Sequence, residues 1–348
     1  MSLYQRVLQS HDVRTGKTVL GNAPVLVTAK EIDICRDSEG NWVYRVIKDP
    51  AAVIVKATPD YTRIEKILAK PENQLSQSSR FLLRTAFECR FCYEGIVSLH
   101  AACVEKDGFA VAFTGHSGLG KSTRAKAWVE GLGAEWISGD RPAVRLEKKG
   151  STACGVPWDG KEQIFRDVEA PLKCIMEVRR SPVNYVRKLS EDQARQLLTQ
   201  QSFIPMWDTD AAVMALANVR RLVRNTPVYR VFCGPDAEDA KAIYDILVNH
   251  PENIREEAKD MKIKEGFVLR NVVDEFIVMP TGDNIVKFEG AVVLNEVSAF
   301  IFQQLQNPVS RDDLLTAVLN EYEVDEATAA ADLDALLEKL TDMGMLEN

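Results

Sequence analysis

The residues Gly115-His116-Ser117-Gly118-Leu119-Gly120-Lys121-Ser122, with Thr123 next, are the stretch of this 348-residue chain best suited to chemistry. They fit G-x-x-x-x-G-K-[ST] without a mismatch, the pattern of a phosphate-binding loop. Glycines at those places let successive backbone N–H groups turn inward onto phosphate oxygens, and the helix that should follow adds positive charge from its N-terminus. In such a loop Lys121 reaches the β- and γ-phosphates and the Ser122 hydroxyl ligates Mg²⁺. The flanks suit the motif. Residues 109–113 form a short, wholly apolar run, as for a strand covered on both faces, and STRAKAWVE reads as a helix stopped by Gly131.

A single helix separates this loop from a second apolar run, residues 134–138, which ends in Gly139-Asp140-Arg141-Pro142. A carboxylate at the end of a strand beside a phosphate loop is placed to hold a metal or to act as general base, so Asp140 is the candidate for either role. Cys89 and Cys92 form a C-x-x-C, but no second ligand pair stands at zinc spacing. Their surroundings are Leu, Phe and Arg at helical spacing, which predicts core packing. The other five cysteines are scattered, so no disulfide framework is expected.

The elements that must position these groups can be read in outline. Up to about residue 71, apolar and polar residues alternate in strand fashion around turns such as Asp37-Ser38-Glu39-Gly40-Asn41, which predicts a small antiparallel sheet. A helix is expected over 76–94. Residues 250–265 are polar and charged and read as a linker. Beyond them, FVLRN, EFIVMP and NIVKFEG predict three short strands, followed by three helices capped by Asn295, Ser310 and Asp325, the last ended by Gly344.

Charge and composition narrow the function. Lys+Arg number 43 against Asp+Glu 51, a net charge of -8. From residue 256 onward acidic residues outnumber basic ones by about three to one, which argues against nucleic acid as a partner. No apolar run is long enough for a membrane span, and the first residues lack a signal-peptide core, so a cytoplasmic protein is expected.

Residues His100, GHSGLGKST and ISGDRP together resemble the HPr kinase/phosphorylase family, and CGVPWDGKE from Cys154 and FIPMW from Phe203 resemble the HPr-kinase-related proteins often encoded with ribosomal-peptide modification genes. The likeness spans roughly residues 75–250. It implies an α/β P-loop kinase core of the type shared with phosphoenolpyruvate carboxykinase, ATP and Mg²⁺ as cofactors, and transfer of phosphate to a serine. His100 becomes an active-site histidine, Asp140 a carboxylate near Mg²⁺. The family carries two adjacent aspartates at this strand end, whereas this chain has Gly139-Asp140. Either Asp140 serves both roles or the base is His100, Asp159 or Glu162. Arg141, Asp159, Lys161 and Glu162 are further candidate contacts to substrate or phosphate. Trp158 and Trp207 are expected in the core rather than at a ligand.

The C-terminal pattern, from VLRNVVDEFIVMP to LEKLTDMGML, resembles the PqqD-like domain, a small winged-helix-like α+β unit that reads the leaders of ribosomally made peptides. The resemblance implies that a leader adds as a strand along Ile285, Val286, Lys287 and Phe288 beside a helix carrying Leu333, Leu336 and Leu340. Those leucines also have the spacing of core residues. The expected organisation is a β-rich region (1–74), an HPr-kinase-like domain (75–249), a linker (250–265) and a PqqD-like domain (266–348). The expected function is an ATP/Mg²⁺-dependent kinase acting on a Ser or Thr hydroxyl of a precursor peptide held by its leader. The alternatives are a nucleotide-binding peptide carrier without phosphotransfer and a small-molecule kinase with a regulatory C-terminal domain.

Overall fold

The computed structural model describes residues 1–15, 25–29, 32–47, 53–69, 76–158, 164–256, 260–272, 275–282, 284 and 292–347. The chain opens with a short helix α1 (Leu3–Gln9), capped by the Ser2 hydroxyl, which the sequence reading did not expect. Strands β1 (Asp12–Thr15), β2 (Val25–Ala29), β3 (Ile32–Arg36), β4 (Trp42–Val46), β5 (Val53–Ala57) and β6 (Ile64–Leu68) form one sheet in the order β1-β6-β5-β4-β3-β2. It is antiparallel as expected, save that β1 joins β6 in parallel. The turn between β3 and β4 is built by Asp37, whose Oδ1 accepts from the backbone N–H groups of Glu39 and Asn41.

Helix α2 (Gln77–Tyr93) starts at the Ser76 cap and packs its apolar side on this sheet. Leu82, Phe87, Cys89 and Phe91 join Trp42, Tyr44, Tyr61 and Trp158 in a single core. Cys89 and Cys92 are therefore buried packing residues with free thiols, and Trp158 lies between Phe87 and Phe91. The expectation of core roles for Cys89, Cys92 and Trp158 holds.

The central sheet collects β7 (Ile96–Ser98), β8 (Ala101–Lys106), β9 (Phe109–Thr114), β10 (Glu135–Ser138), β11 (Ala143–Leu146), β12 (Ser151–Cys154), β13 (Glu169–Arg180), β14 (Tyr185–Lys188) and β15 (Val228–Cys233). Its helices are α3 (Lys121–Leu132), α4 (Glu191–Gln201), α5 (Thr209–Asn225) and α6 (Ala237–Val248). The long β13 bridges two regions. Its start pairs antiparallel with β12, and its second half runs parallel between β9 and β15. Ala110, Ala112 and Ile175 face one core, Val111, Phe113 and Met176 the other, which explains the unbroken apolar run at 109–113. Helix α3 passes Gly131 and ends at Gly133, φ 67°. Gly131 is needed for another reason: a Cβ there would stand 2.8 Å from the Ala237 Cβ, so α3 and α6 touch through it.

The stretch read as a linker is structured among its described residues. β16 (Arg255–Glu256) adds in parallel to β14, and β17 (Lys262–Ile263) pairs with β21 (Leu346–Glu347). The C-terminal unit then contains β18 (Phe267–Val272), β19 (Glu275–Pro280) and β20 (Val292–Leu294) in one antiparallel sheet, with helices α7 (Glu296–Gln304), α8 (Arg311–Glu321) and α9 (Glu326–Asp342). Asn295, Ser310 and Asp325 cap these helices as expected. The described third strand is Val292–Leu294; the run at 285–290 expected to form it lies outside the described residues. Among the described residues no helix is long and apolar enough to cross a membrane.

Candidate active site

Strand β9 delivers the chain into the glycine loop, and α3 carries it away. Gly115, Gly118 and Gly120 adopt φ of 129°, 89° and 86°, values that a side chain makes costly. Four of the loop's carbonyls are held by side-chain donors. Lys121 Nζ donates to Gly115 O at 2.9 Å and His116 O at 3.3 Å, Arg180 Nη2 to Gly118 O at 2.9 Å, and Arg124 Nη1 to Leu119 O at 3.3 Å. Arg124 also donates to Cys233 O at the end of β15, which pins the loop to the sheet. Gly120 is the N-cap of α3 and offers no side-chain acceptor, so the first N–H groups of that helix have no cap. An uncapped, glycine-led helix start beside a buried lysine suits a phosphate.

A cleft of about 1350 Å³ opens at this loop. Ser117, Gly118, Gly120, Lys121, Ser122 and Thr123 line it, whereas Gly115, His116 and Leu119 shape the loop from behind. A second group of lining residues is His100, Gly139, Asp140 and Arg141, of which Asp140 and Arg141 lie near enough to act on Lys121. Backbone bonds fix that group. Ala101 N donates to Asp140 O at 2.9 Å, Thr114 Oγ1 donates to His100 O at 2.9 Å, and His100 N donates to Gln201 O at 2.7 Å. The first and last strands of the motif are thereby tied to one point, with His100 Nε2 3.3 Å from Asp140 Oδ1.

Burial pushes the Asp140 carboxyl up, but its hydrogen bond with His100 and the positive charges of Arg141 and Arg84 outweigh it, holding it below the usual carboxylate range. Burial lowers the Lys121 ammonium; Asp140 partly restores it, and Arg141 lowers it again. The residues fit a nucleotide with a divalent cation: Ser122 opens α3 in the cleft, and Asp140 faces it with an ionised carboxylate. Among the described residues no cluster of three or more His, Cys, Asp or Glu could hold a metal alone, so the cation's remaining ligands would be phosphate oxygens and water.

Of the residues singled out from sequence, the structure brings together His100, Lys121, Ser122, Asp140 and Arg141. Asp159, Lys161 and Glu162, and the proposed leader edge Ile285, Val286, Lys287 and Phe288, lie outside the described residues. Leu333, Leu336 and Leu340 are 0%, 8% and 1% exposed within the C-terminal core, so their side chains are spent on folding this unit. Several cleft residues had no sequence signal. Arg84 comes from α2, Arg180 from the end of β13, Gly234 from the turn after β15, and Asn320 from α8 of the C-terminal unit. They belong to four separate elements, and only the fold makes them neighbours.

The C-terminal unit sits against the central sheet through ionic contacts. Arg187 of β14 pairs with Asp312 at the start of α8, and Tyr185 OH lies 3.0 Å from Thr316 Oγ1. Arg230 donates to Asp313 at 3.1 Å and to the buried Glu177 at 2.7 Å.

Residues 275–346 match the family model described as coenzyme PQQ synthesis protein D (PqqD). The C-terminal unit is PqqD-like. Among solved structures, the chain is similar to TbiB1 in complex with the TbiA(beta) leader peptide, at 24% identity over 25% of this chain and 95% of that one, with a TM-score of 0.22. It is similar to a lasso peptide synthetase B1 complexed with the leader peptide, at 22% identity over 25% and 98%, TM-score 0.22. It is also similar to the Hpr(Ser) kinase/phosphatase from Coxiella burnetii, at 12% identity over 44% and 96%, TM-score 0.26. A comparison with curated proteins gave no match. The resemblance of the C-terminal region to PqqD, read from sequence, is borne out, and this PqqD-like unit follows a mixed α/β P-loop unit in one chain.

Proposed function

We propose that this protein is an ATP- and Mg²⁺-dependent kinase that phosphorylates a Ser or Thr hydroxyl of a ribosomally made precursor peptide, which its PqqD-like unit holds by the leader. The observation that carries this reading is one cleft with two unlike groups of lining residues. One group has the uncapped helix start and Lys121; the other has Asp140 hydrogen-bonded to His100.

The roles follow from that geometry. The loop amides and Lys121 bind the phosphates and neutralise the charge that spreads over the transferred group. Ser122 and Asp140 would hold Mg²⁺, which would supply further neutralisation of the phosphate charge. At the second group the acceptor hydroxyl loses its proton to the Asp140–His100 pair as its oxygen bonds to the γ-phosphorus. The bond from that phosphorus to the bridging oxygen breaks, and ADP leaves with the electron pair. The paired side chains make up for the single aspartate at this strand end: ionised Asp140 aligns His100 and stabilises the imidazolium.

The PqqD-like unit supplies the acceptor. Tethering a leader raises the concentration of its attached core segment at the cleft, and Asn320 of α8 already lines that cleft. Among the described residues β20 is an edge of this unit's sheet, open to strand addition, with Val293 57% exposed on it.

Intact mass of a candidate precursor after incubation with the protein, Mg²⁺ and ATP tests the proposal. One added phosphate is expected with the native chain and none with Lys121→Ala, while leader affinity stays the same in both. No mass gain despite tight leader binding would favour a peptide carrier.

A further inference from the structure

Two arginines in the cleft are held by loose ion pairs alone, with no side-chain hydrogen bond to a carboxylate. Arg84 projects from α2 and Arg141 follows Asp140, and both line the cleft with His100. Their side chains are only 17% and 20% exposed. Yet Arg84 Nε is buried without a hydrogen-bond partner. The nearest carboxylates stand outside hydrogen-bond reach: Arg84 Nε is 3.7 Å from Glu88 Oε2, Arg141 Nη1 3.8 Å from Glu88 Oε1, and Arg141 Nε 4.0 Å from Asp140 Oδ2. Glu88, itself 2% exposed, takes its short bond from Ser98 at 2.6 Å instead. It thus draws both guanidinium groups toward one place without using up their N–H donors.

We propose that Arg84 and Arg141 form an oxyanion subsite for the acceptor, so that the hydroxyl receiving phosphate is recognised together with a carboxylate beside it in the same peptide. This rests on the kinase reading of the cleft. The argument is one of position and unspent donors. The glycine-loop group has its own cations and amides for the nucleotide: Lys121, Arg180 and the start of α3. Arg84 and Arg141 both act on Asp140, where the acceptor hydroxyl comes in this reading, and Arg141 acts on Lys121 as well. Glu88 is one carboxylate facing two guanidinium groups, so the pair of arginines is left with one unmatched positive charge toward the cleft when Asp140 is engaged by the cation and the hydroxyl. A planar guanidinium with free N–H pairs is shaped for a carboxylate, and a partly buried one gains most from it.

The test measures binding, so it stands apart from phosphate transfer. The probes are short synthetic peptides with one central Ser and an Asp at one of the two positions on either side, each matched by its Asn counterpart. They are titrated into the full chain saturated with Mg²⁺ and a non-hydrolysable ATP analogue. The expected result is that at least one Asp peptide binds about tenfold more tightly than its Asn twin. That preference should shrink to about twofold or less in Arg84→Gln and in Arg141→Gln, and be partly kept in Arg84→Lys, which retains the charge without the fork. ADP titration and thermal unfolding of each variant report whether the cleft is still folded. No preference for Asp in the native chain would overturn the proposal, as would a preference that survives in both Gln variants. A loss of affinity for the triphosphate analogue but not for ADP would assign the arginines to the γ-phosphate and overturn it as well. A clear Asp preference with no phosphate transfer to any peptide would count against the kinase reading alone.

Discussion

Arg187 of β14 holds Asp312 of α8 in a two-pronged ion pair, with Asp312 only 4% exposed. Around it, Arg230 links Asp313 to Glu177 of β13, and Glu177 stands in register with Thr114, the last residue before the glycine loop. The start of α8 in the PqqD-like unit is therefore bonded, through Arg230, to the strand beside the glycine loop.

Removing Asp312 should loosen that junction. Asp312→Ala leaves Arg187 half-buried without its partner, at a cost of about 3 kcal/mol. Chemical denaturation checks the size. Replacing both members with apolar residues, Arg187→Met with Asp312→Leu, should recover most of the loss, because no unpaired charge is left behind. If the junction also sets the cleft, Asp312→Ala weakens peptide-dependent phosphate transfer more than it weakens ADP binding.

Asp140 is expected to matter for turnover rather than for folding. Asp140→Asn keeps the shape and a hydrogen bond to His100 but removes the charge that we propose aligns the imidazole and holds the cation. Transfer to a precursor peptide should fall by about 10²–10⁴-fold, while metal-free ADP binding, followed by thermal shift, remains. A loss of ADP binding equal to the loss of transfer would remove Asp140 from the acceptor site.

How much of this was legible in the sequence depends on range. The glycine loop, the helix over 76–94, the caps Asn295, Ser310 and Asp325, and Asp140 at its strand end are local patterns, and each stands where the chain's chemistry places it. Gly131 misled because a glycine inside a helix looks like a stop until the helix packed on it, here α6 at Ala237, is known. Residues 250–265 looked like a linker because two-residue strands bury almost nothing, and their partners, β14 and β21, are distant in sequence. Arg84 gave no sign at all: an arginine in an amphipathic helix is ordinary until the fold brings Arg141 and Glu88 to it.

The Asp37 turn sets a pH-dependent part of stability. Burial raises its carboxyl, but hydrogen bonds from Lys56 and Asn41 and the charge of Lys56 bring it down to about 2, from an ordinary 3.8. A carboxyl lowered on folding stabilises the fold above its unfolded value, and that contribution fades as pH falls through the folded one. The window here is from about pH 4 down to about pH 2. Asp37→Asn keeps an acceptor for the turn and loses only the charge. Melting curves of the variant should lie below those of the native chain at neutral pH and converge with them across that window. A constant gap down to pH 2 would show that the turn's shape, not its charge, is what counts.

Two glycines of the loop separate backbone strain from steric conflict. Gly118 and Gly120 have nearly equal φ, 89° and 86°. A Cβ on Gly118 meets nothing within 4 Å, whereas one on Gly120 would lie 2.3 Å from Arg124 Nη1. Gly118→Ala therefore pays only for left-handed backbone, about 1–2 kcal/mol, expressed as strain in the loop or as its rearrangement. Gly120→Ala pays the same and also pushes Arg124 from Leu119 O and Cys233 O, the bonds that fasten the loop to β15. Titration with ADP and Mg²⁺ should show Gly120→Ala weakened at least tenfold beyond Gly118→Ala. Shortening the displaced side chain, in Gly120→Ala with Arg124→Ala, should relieve the clash without restoring the anchor, so affinity stays low. If instead the double variant binds like Gly118→Ala, the Arg124 anchor contributes nothing to the loop, and steric conflict alone accounts for the loss.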